Sequence, residues 1–471
     1  MTRLCFCILV CAGTLCPVGS LYGNEAGGYE FSTEDNELLD EISRACFSFF
    51  WGQADAGSGL VKDRSDHDVC STASLGFGLA ALPIGVERGY VSREAAEDRA
   101  LRALKTIEAS NAHHNGMFCH FIDLKTGNTT EMGYESIASS IDTALMVAGA
   151  IAAGEYFGGE CKRLAGKIYS RVDWVCFVNP ENGQVYMAWA ADEAGKMSGS
   201  GKFEKQTWDW YTDETLLIVL LGQGTPVSEH RLKKETMTNW RRPVGAYNGG
   251  DEFIYSFPGT LFTYMFAHCF YDFKSIGPDG LGVDWYENTR RAVMANRNWC
   301  RDHSNEFASY SKDMWGITAG SGPNEKYVVP GHQPCGENRD KPEGGTLHPY
   351  GAGMSVPFVP KDAVAALRCM KEIKVGGKSV WKGIDEGGFG YWDGFNVDAN
   401  WVSDHVIGIA QGPMLLMIEN ARSGLVWELM LDNKFVRAGI KRAGFNEYSG
   451  KKFLGQSENV FSGTGKRLGD E

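Results

Sequence analysis

Along the chain, helix-length stretches with one polar face alternate with stretches that are apolar nearly all round. Glu34–Trp51 is amphipathic, Ser71–Pro83 is apolar and rich in small residues, and Ser92–Ser110 sets charges on one face against Ala, Leu and Ile on the other. After its first turn Ser139–Phe157 has no polar face. Cys161–Cys176 is amphipathic again, Asp213–Leu221 is apolar, and Pro258–Phe273 is apolar and aromatic. Asp284–Asp302 and Pro360–Ile373 are amphipathic, His405–Ile418 is apolar, and Leu425–Ala443 closes the series with a polar face. A helix apolar on every side must be buried on every side, whereas a half-charged one fits an outer layer. The alternation predicts two concentric layers, each inner helix followed by an outer one. The segments number about twelve, which fits an all-α (α/α)6 toroid with a few short strands in its loops.

Strand patterns are few. Gly116–Leu124 and Asn128–Gly133, joined at Lys125-Thr126-Gly127, predict a hairpin in which Gly127 supplies the positive φ of the turn. The Gly- and Pro-rich stretch from Ala319 to Pro357 has no period, and so long a loop in a compact domain is usually functional. At the start, Arg3, the apolar run Leu4–Cys16 and the small residues Val18-Gly19-Ser20 form the pattern of a secretory leader over residues 1–20. An extension over 21–32, one toroidal domain over 33–448 and a tail over 449–471 follow. Export to the periplasm or the outside is expected, and no later segment is apolar for the ~20 residues a membrane span needs.

The net charge of −13 argues against nucleic acid, anionic membranes and, more mildly, polyanionic ligands. With 13 Trp and 12% aromatics the chain has rings beyond what a core needs, which suits a neutral, hydroxyl-rich ligand. A monomer is expected. The cysteines after the leader are Cys46, Cys70, Cys119, Cys161, Cys176, Cys269, Cys300, Cys335 and Cys369. They are widely spaced, without a CxxC, and read as small core residues, with room for one or two disulfides after export. His113, His114 and His120 have no carboxylate at metal-site spacing, so neither a catalytic metal nor any other cofactor is expected.

In a toroid, ligands lie at one mouth, so acids that open inner helices are the candidates for chemistry. Asp142 opens one, and Glu214 opens another within Trp208-Asp209-Trp210-Tyr211-Thr212-Asp213-Glu214. A carboxylate at a helix start also has a plain structural use, capping free N–H groups and complementing the dipole, and this reading suits Asp142 and Asp213 better than Glu214. Two carboxyl groups across a cleft can cut a glycosidic bond, one protonating the leaving oxygen and the other activating water or attacking the sugar. Burial against aromatic rings would raise the acid's pKa. Glu214 has that setting and is the candidate acid. Asp142 is the first candidate for its partner and Asp393, in Tyr391-Trp392-Asp393-Gly394, the second. Among Trp51, Trp189, Trp208, Trp210, Trp315, Trp392 and Trp401, all near helix–loop boundaries, some should stack on sugar faces and the rest fill the core. Candidate ligand contacts are Asp63, Arg64, Trp208, Asp209, Tyr211, His268, Trp315 and Trp392; for His268 a hydrogen-bonded core position is the better reading. Two other readings compete: a polysaccharide lyase using Tyr264 and His268, and a sugar-binding protein with an inert cleft.

Several segments also resemble a known family. Gly59-Leu60-Val61-Lys62-Asp63-Arg64, Ala81-Leu82-Pro83-Ile84-Gly85, Ile141-Asp142-Thr143-Ala144-Leu145, Pro258-Gly259-Thr260-Leu261-Phe262, Met314-Trp315-Gly316-Ile317 and Ile407-Gly408-Ile409-Ala410-Gln411-Gly412-Pro413 are similar, in this order, to segments of the glycoamylase-like family. That family includes bacterial endo-β-1,2-glucanases. The resemblance implies an (α/α)6 toroid and metal-free, inverting hydrolysis of a β-glucan, with a β-1,2 linkage expected. It places the general acid on Glu214, in Tyr211-Thr212-Asp213-Glu214, and Asp142 in the same cleft. In β-1,2-glucanases the positions one and two turns ahead of the inner-helix carboxylate tend to be acidic; here they read Glu135 and Ser139.

Overall fold

The computed structural model describes residues 29–130, 136–323, 326–335 and 343–445. The leader pattern, Glu135, the far arm of the expected hairpin from 131 onward and the tail lie outside the described residues. The helices are α1 (Thr33–Gly52), α2 (Thr72–Glu87), α3 (Arg93–Ala109), α4 (Ser140–Phe157), α5 (Gly159–Arg171), α6 (Asp213–Gly224), α7 (Phe273–Ile276), α8 (Trp285–Asp302), α9 (Pro349–Gly353), α10 (Pro360–Glu372), α11 (Gly408–Arg422), α12 (Leu425–Asp432) and α13 (Lys434–Arg442).

The apolar helices form the inner ring. α2 packs on α4, α4 on α6, α6 on the turn-rich segment after Thr260, and α11 on both α9 and α2. Contacts of Met265 with Ser355 and of His268 with Phe358 join that segment to the α9 region and close the circle. α1, α3, α5, α8 and α10 lie outside, each against its inner neighbours. This is the (α/α)6 double layer. After α6 the outer position is taken by short 3-10 turns, one of which, Lys234–Met237, packs on α6. The inner helices approach to backbone contact: a Cβ on Gly149 would lie 1.8 Å from the Gly76 carbonyl oxygen, so only glycine lets α2 and α4 pack this closely.

Caps mark most predicted starts, because a side-chain oxygen meets a free N–H of the first turn. Ser32, Ser71, Ser92, Ser139, Thr212 and Asp284 each do so. Four expectations need correction. Pro258–Phe273 is not an α-helix; only Leu261–Tyr264 forms a 3-10 turn. Its backbone is satisfied by side chains of other elements: Thr289 Oγ1 donates to the Tyr264 carbonyl, Asn420 Nδ2 to the Cys269 carbonyl and Trp427 Nε1 to the His268 carbonyl. Leu425–Ala443 is two helices broken at Asn433, whose extended backbone ends α12 and whose side chain caps α13. α2 runs past Pro83 to Glu87, held by packing on α4 and α11. Beyond its turn, where the Asp123 N–H donates to the Asn128 carbonyl at 2.8 Å, the near arm takes other partners: Phe121–Asp123 pairs with Val69–Ser71, and Met117–Phe118 with His113–His114. The turn itself is present, with Gly127 at φ +71°.

α12 and α13 close one end of the ring. Asn433 Nδ2 donates to Glu155 at the end of α4, and Arg442 Nη1 to the Gln223 carbonyl at the end of α6. The opposite end carries the starts of α4 and α6. The nine described cysteines form no disulfide, and six of them are buried.

Candidate active site

Two short antiparallel sheets fix the open mouth. In one, Ile137–Ser139 pairs with Ala188–Ala191, which pairs with Gly201–Phe203. Ser139 ends its strand and caps α4, so the sheet sets where Asp142 stands. The Ser139 hydroxyl accepts from the Asp142 N–H at 3.3 Å and donates to the Asp142 carboxylate. In the other sheet Ser71 pairs with Phe121 and also hydrogen-bonds the Asp63 carboxyl. His120 follows: its Nε2 lies 3.6 Å from Asp142 Oδ1, and its ring stacks on Phe121. Asp63, His120 and Asp142 thus form one polar group at the starts of α2 and α4.

Glu214 stands at the start of α6, beside them. Its side chain keeps some contact with solvent, but burial pushes its pKa up to about 8, reinforced by the charges of Asp142 and Asp213. Burial also raises the Asp63 carboxyl, against the pull of the Ser71 hydrogen bond and of His120 and Arg64. Asp393 approaches from the loop before α11. It is buried; its Oδ2 accepts from the Ser321 N–H at 2.6 Å, while Oδ1 has no partner among the described residues. One residue touches the field of every acid. Tyr327 is 54% exposed, yet the protein around it and the charges of Asp393, Asp63, Glu214 and Asp142 raise its phenol. Tyr350, buried nearby, feels Asp393 and Glu214.

The four acids Glu214, Asp142, Asp393 and Asp63 are therefore gathered in one place. The other candidates are placed differently. Tyr211 is wholly buried, its ring stacked on Trp285 at 4.7 Å. Trp315 is 0% exposed, so neither face is open to a sugar. Trp208 is buried, its indole N–H donating to Ser140 Oγ at 2.9 Å. His268 is a core histidine: its backbone N–H and Nδ1 both lie 3.0 Å from Asp213 Oδ2. Arg64 commits Nε and Nη2 to Asp66, and Nη2 also to His405. Asp209 is taken by Arg241, whose guanidinium lies 4.2 Å over Trp210. The Trp392 ring lies under the Lys378 ammonium at 4.7 Å. Tyr264 is buried, its hydroxyl accepting from the Ser256 N–H at 2.9 Å, so the pair Tyr264 and His268 required by a lyase is locked in the core.

His120, Ser321, Tyr327 and His405 escape sequence reasoning. Ser321 and Tyr327 sit in the aperiodic loop, and no spacing ties His120 to Asp142.

The described residues hold no group of three or more side chains arranged to bind a metal. What the arrangement can do is hold a proton on Glu214 near neutrality, beside the charges of Asp142 and Asp213.

The family model named Glycoamylase, described as "Putative glucoamylase", matches residues 205–434. The chain is 26% identical over 444 residues to the exo beta-1,2-glucooligosaccharide sophorohydrolase (non-reducing end) of Parabacteroides distasonis. That match covers 87% of this chain and 58% of the relative, so the chain spans well under two thirds of its length. Among solved structures, the endo-beta-1,2-glucanase of Chitinophaga pinensis, in complex with sophorotriose and glucose, aligns with TM-score 0.74 and 25% identity over 88% of this chain and 99% of that one. A beta-1,2-glucanase of Parabacteroides distasonis aligns with TM-score 0.74 and 24% identity over 88% of this chain and 60% of that one. The chain resembles the glycoamylase-like family and shares the double-ring fold of these glucanases.

Proposed function

We propose that the chain hydrolyses β-1,2-linked glucan or gluco-oligosaccharide by an inverting mechanism, with Glu214 as general acid and Asp393 as general base. The observation that carries this is the Glu214 carboxyl, raised to about 8 at the start of an inner helix beside Asp142. An acid of that pKa is protonated at neutral pH and ready to give its proton to the leaving glycosidic oxygen. As the C1–O bond breaks, Glu214 becomes an anion beside Asp142 and Asp213. Their repulsion favours reprotonation once product leaves.

Asp142 and Asp393 are separated by their hydrogen bonds. One Asp142 oxygen holds the Ser139 hydroxyl and the other faces His120. Asp393 keeps one oxygen that is bare among the described residues, and a buried acceptor without a partner costs about 1–3 kcal/mol, which function can explain. In this reading Oδ1 of Asp393 takes the proton of the attacking water, and Asp142 tunes Glu214. The β-1,2 linkage is supported by the relatives named above, and a neutral substrate by the net charge of −13. The leader pattern over 1–20 supports action in the periplasm or outside the cell.

The test is a reducing-sugar and product-size assay on β-1,2-, β-1,3-, β-1,4- and α-1,4-glucans, with Glu214→Gln alongside. Cleavage of β-1,2-glucan alone, lost in the variant, upholds the reading. Cleavage of another glucan instead, or an active variant, overturns the linkage or the acid.

A further inference from the structure

The oxygen of Asp393 that is not bare is held through a chain of buried groups reaching to the surface. Ser321 donates its N–H to Asp393 Oδ2 at 2.6 Å. The Ser321 hydroxyl lies 2.7 Å from His405 Nε2, and His405 Nδ1 lies 3.1 Å from Arg64 Nη2. Arg64 is itself oriented by a fork to Asp66, with Nε at 3.0 Å from Oδ1 and Nη2 at 2.9 Å from Oδ2. Ser321 and His405 are each 1% exposed.

The donors fix the direction of this chain. A guanidinium has only donors, so Nδ1 of His405 must accept. The proton then sits on Nε2, and His405 donates to the Ser321 hydroxyl. Ser321 is gripped from a second side as well: its carbonyl accepts from His348 Nε2 at 3.1 Å. Its neighbour is restricted too. A Cβ on Gly320 would fall 2.3 Å from the His348 ring and 2.9 Å from Asp393 Oδ2. The backbones interlock with the side chains, the Asp393 N–H donating to the His405 carbonyl at 3.1 Å and Arg64 bridging Ile407.

We infer that Arg64, His405 and Ser321 form a positioning relay that sets the orientation of the Asp393 carboxylate and so aims its bare oxygen. The relay rests on the reading of Asp393 as general base. It explains why Arg64, in a segment that faces the mouth, turns to a buried imidazole. It also explains why a two-residue strand in an otherwise aperiodic loop is pinned by two histidines. All three act through Asp393: Ser321 and His405 are buried, and Arg64 gives Nε and Nη2 to Asp66 and Nη2 to His405.

The test measures kcat and KM on β-1,2-gluco-oligosaccharide, with thermal unfolding, for His405→Leu, His405→Gln, Ser321→Ala and Asp393→Asn in the full mature chain. A displacement of about 1 Å at a reacting group can lower a rate ~10²-fold. His405→Leu is therefore expected to lower kcat by about 10- to 100-fold with KM changed less than about 2-fold. Glutamine offers an N–H to Ser321 and an oxygen to Arg64, so His405→Gln should recover most of kcat. Ser321→Ala keeps the backbone N–H and should lose less than His405→Leu. A folded His405→Leu protein with the parent kcat overturns the relay. So does a loss that glutamine leaves unrelieved. If His405→Leu does not fold, an undiminished kcat in Ser321→Ala overturns it instead. An active Asp393→Asn sinks the base assignment itself, a distinct result from failure of the relay.

Discussion

The carboxylate of Asp142 stands beside the carboxyl of Glu214 at the starts of two adjacent inner helices, and its charge helps keep a proton on Glu214. The pair is the polar edge of two helices that are otherwise buried along their length. Removing the Asp142 charge should lower the Glu214 pKa from about 8 toward the ordinary carboxyl value. In kcat/KM profiles, activity that needs protonated Glu214 falls as pH rises through that pKa, so Asp142→Asn should move the basic limb to lower pH. An unmoved limb would show that Asp142 does not act on the acid.

Glu214→Gln should lower kcat by about 10²-fold or more, as expected on losing a general acid. A leaving group that needs no protonation, such as fluoride on a β-gluco-oligosaccharyl fluoride, should be cut with much less loss. Equal losses on both substrates would speak against the acid role.

The same variant should be more stable than the parent near neutrality. The folded pKa of Glu214 is raised above its unfolded value, so the folded state takes up a proton. Its stability contribution is fully present below the unfolded pKa of about 4.5 and is lost as pH rises through about 8. Glutamine has no such dependence. Thermal unfolding should show Glu214→Gln gaining about 1–3 kcal/mol at pH 7 and nothing near pH 4. A gain independent of pH would reject the shift.

Asp213, next in the chain to Glu214, serves the core. Asp213→Ala would strip the buried His268 of the carboxylate that meets its backbone N–H and Nδ1. A loss of about 2–5 kcal/mol in chemical denaturation is expected, since two buried donors lose their acceptor at about 1–3 kcal/mol each. A variant of parent stability would show that the pair does not hold the ring together.

Tyr327 offers an exposed ring among the acids. Steady-state kinetics of Tyr327→Ala should show KM raised about 10-fold, the size of one lost stacking contact, with Tyr327→Phe near the parent. Trp315, whose ring is buried, should affect unfolding and not KM when replaced by Phe.

Sequence alone determined the layers, because apolar periodicity states directly which helices are surrounded by protein. It located the starts of α4 and α6, and with them Asp142 and Glu214, because an acid that opens an apolar run is a local signal; that Ser139 and Thr212 cap these helices came from the structure. The segment after Pro258 was misread as a helix because its backbone partners, Asn420, Thr289 and Trp427, come from distant parts of the chain. Tyr211 and Trp315 carry residue types suited to a cleft, and only packing decided that they fill the core. The tertiary structure alone brought His120 to Asp142 and Arg64 to His405, the latter across 341 positions. No local pattern records such pairs, because ring closure and hydrogen-bond direction act between residues that the sequence keeps far apart.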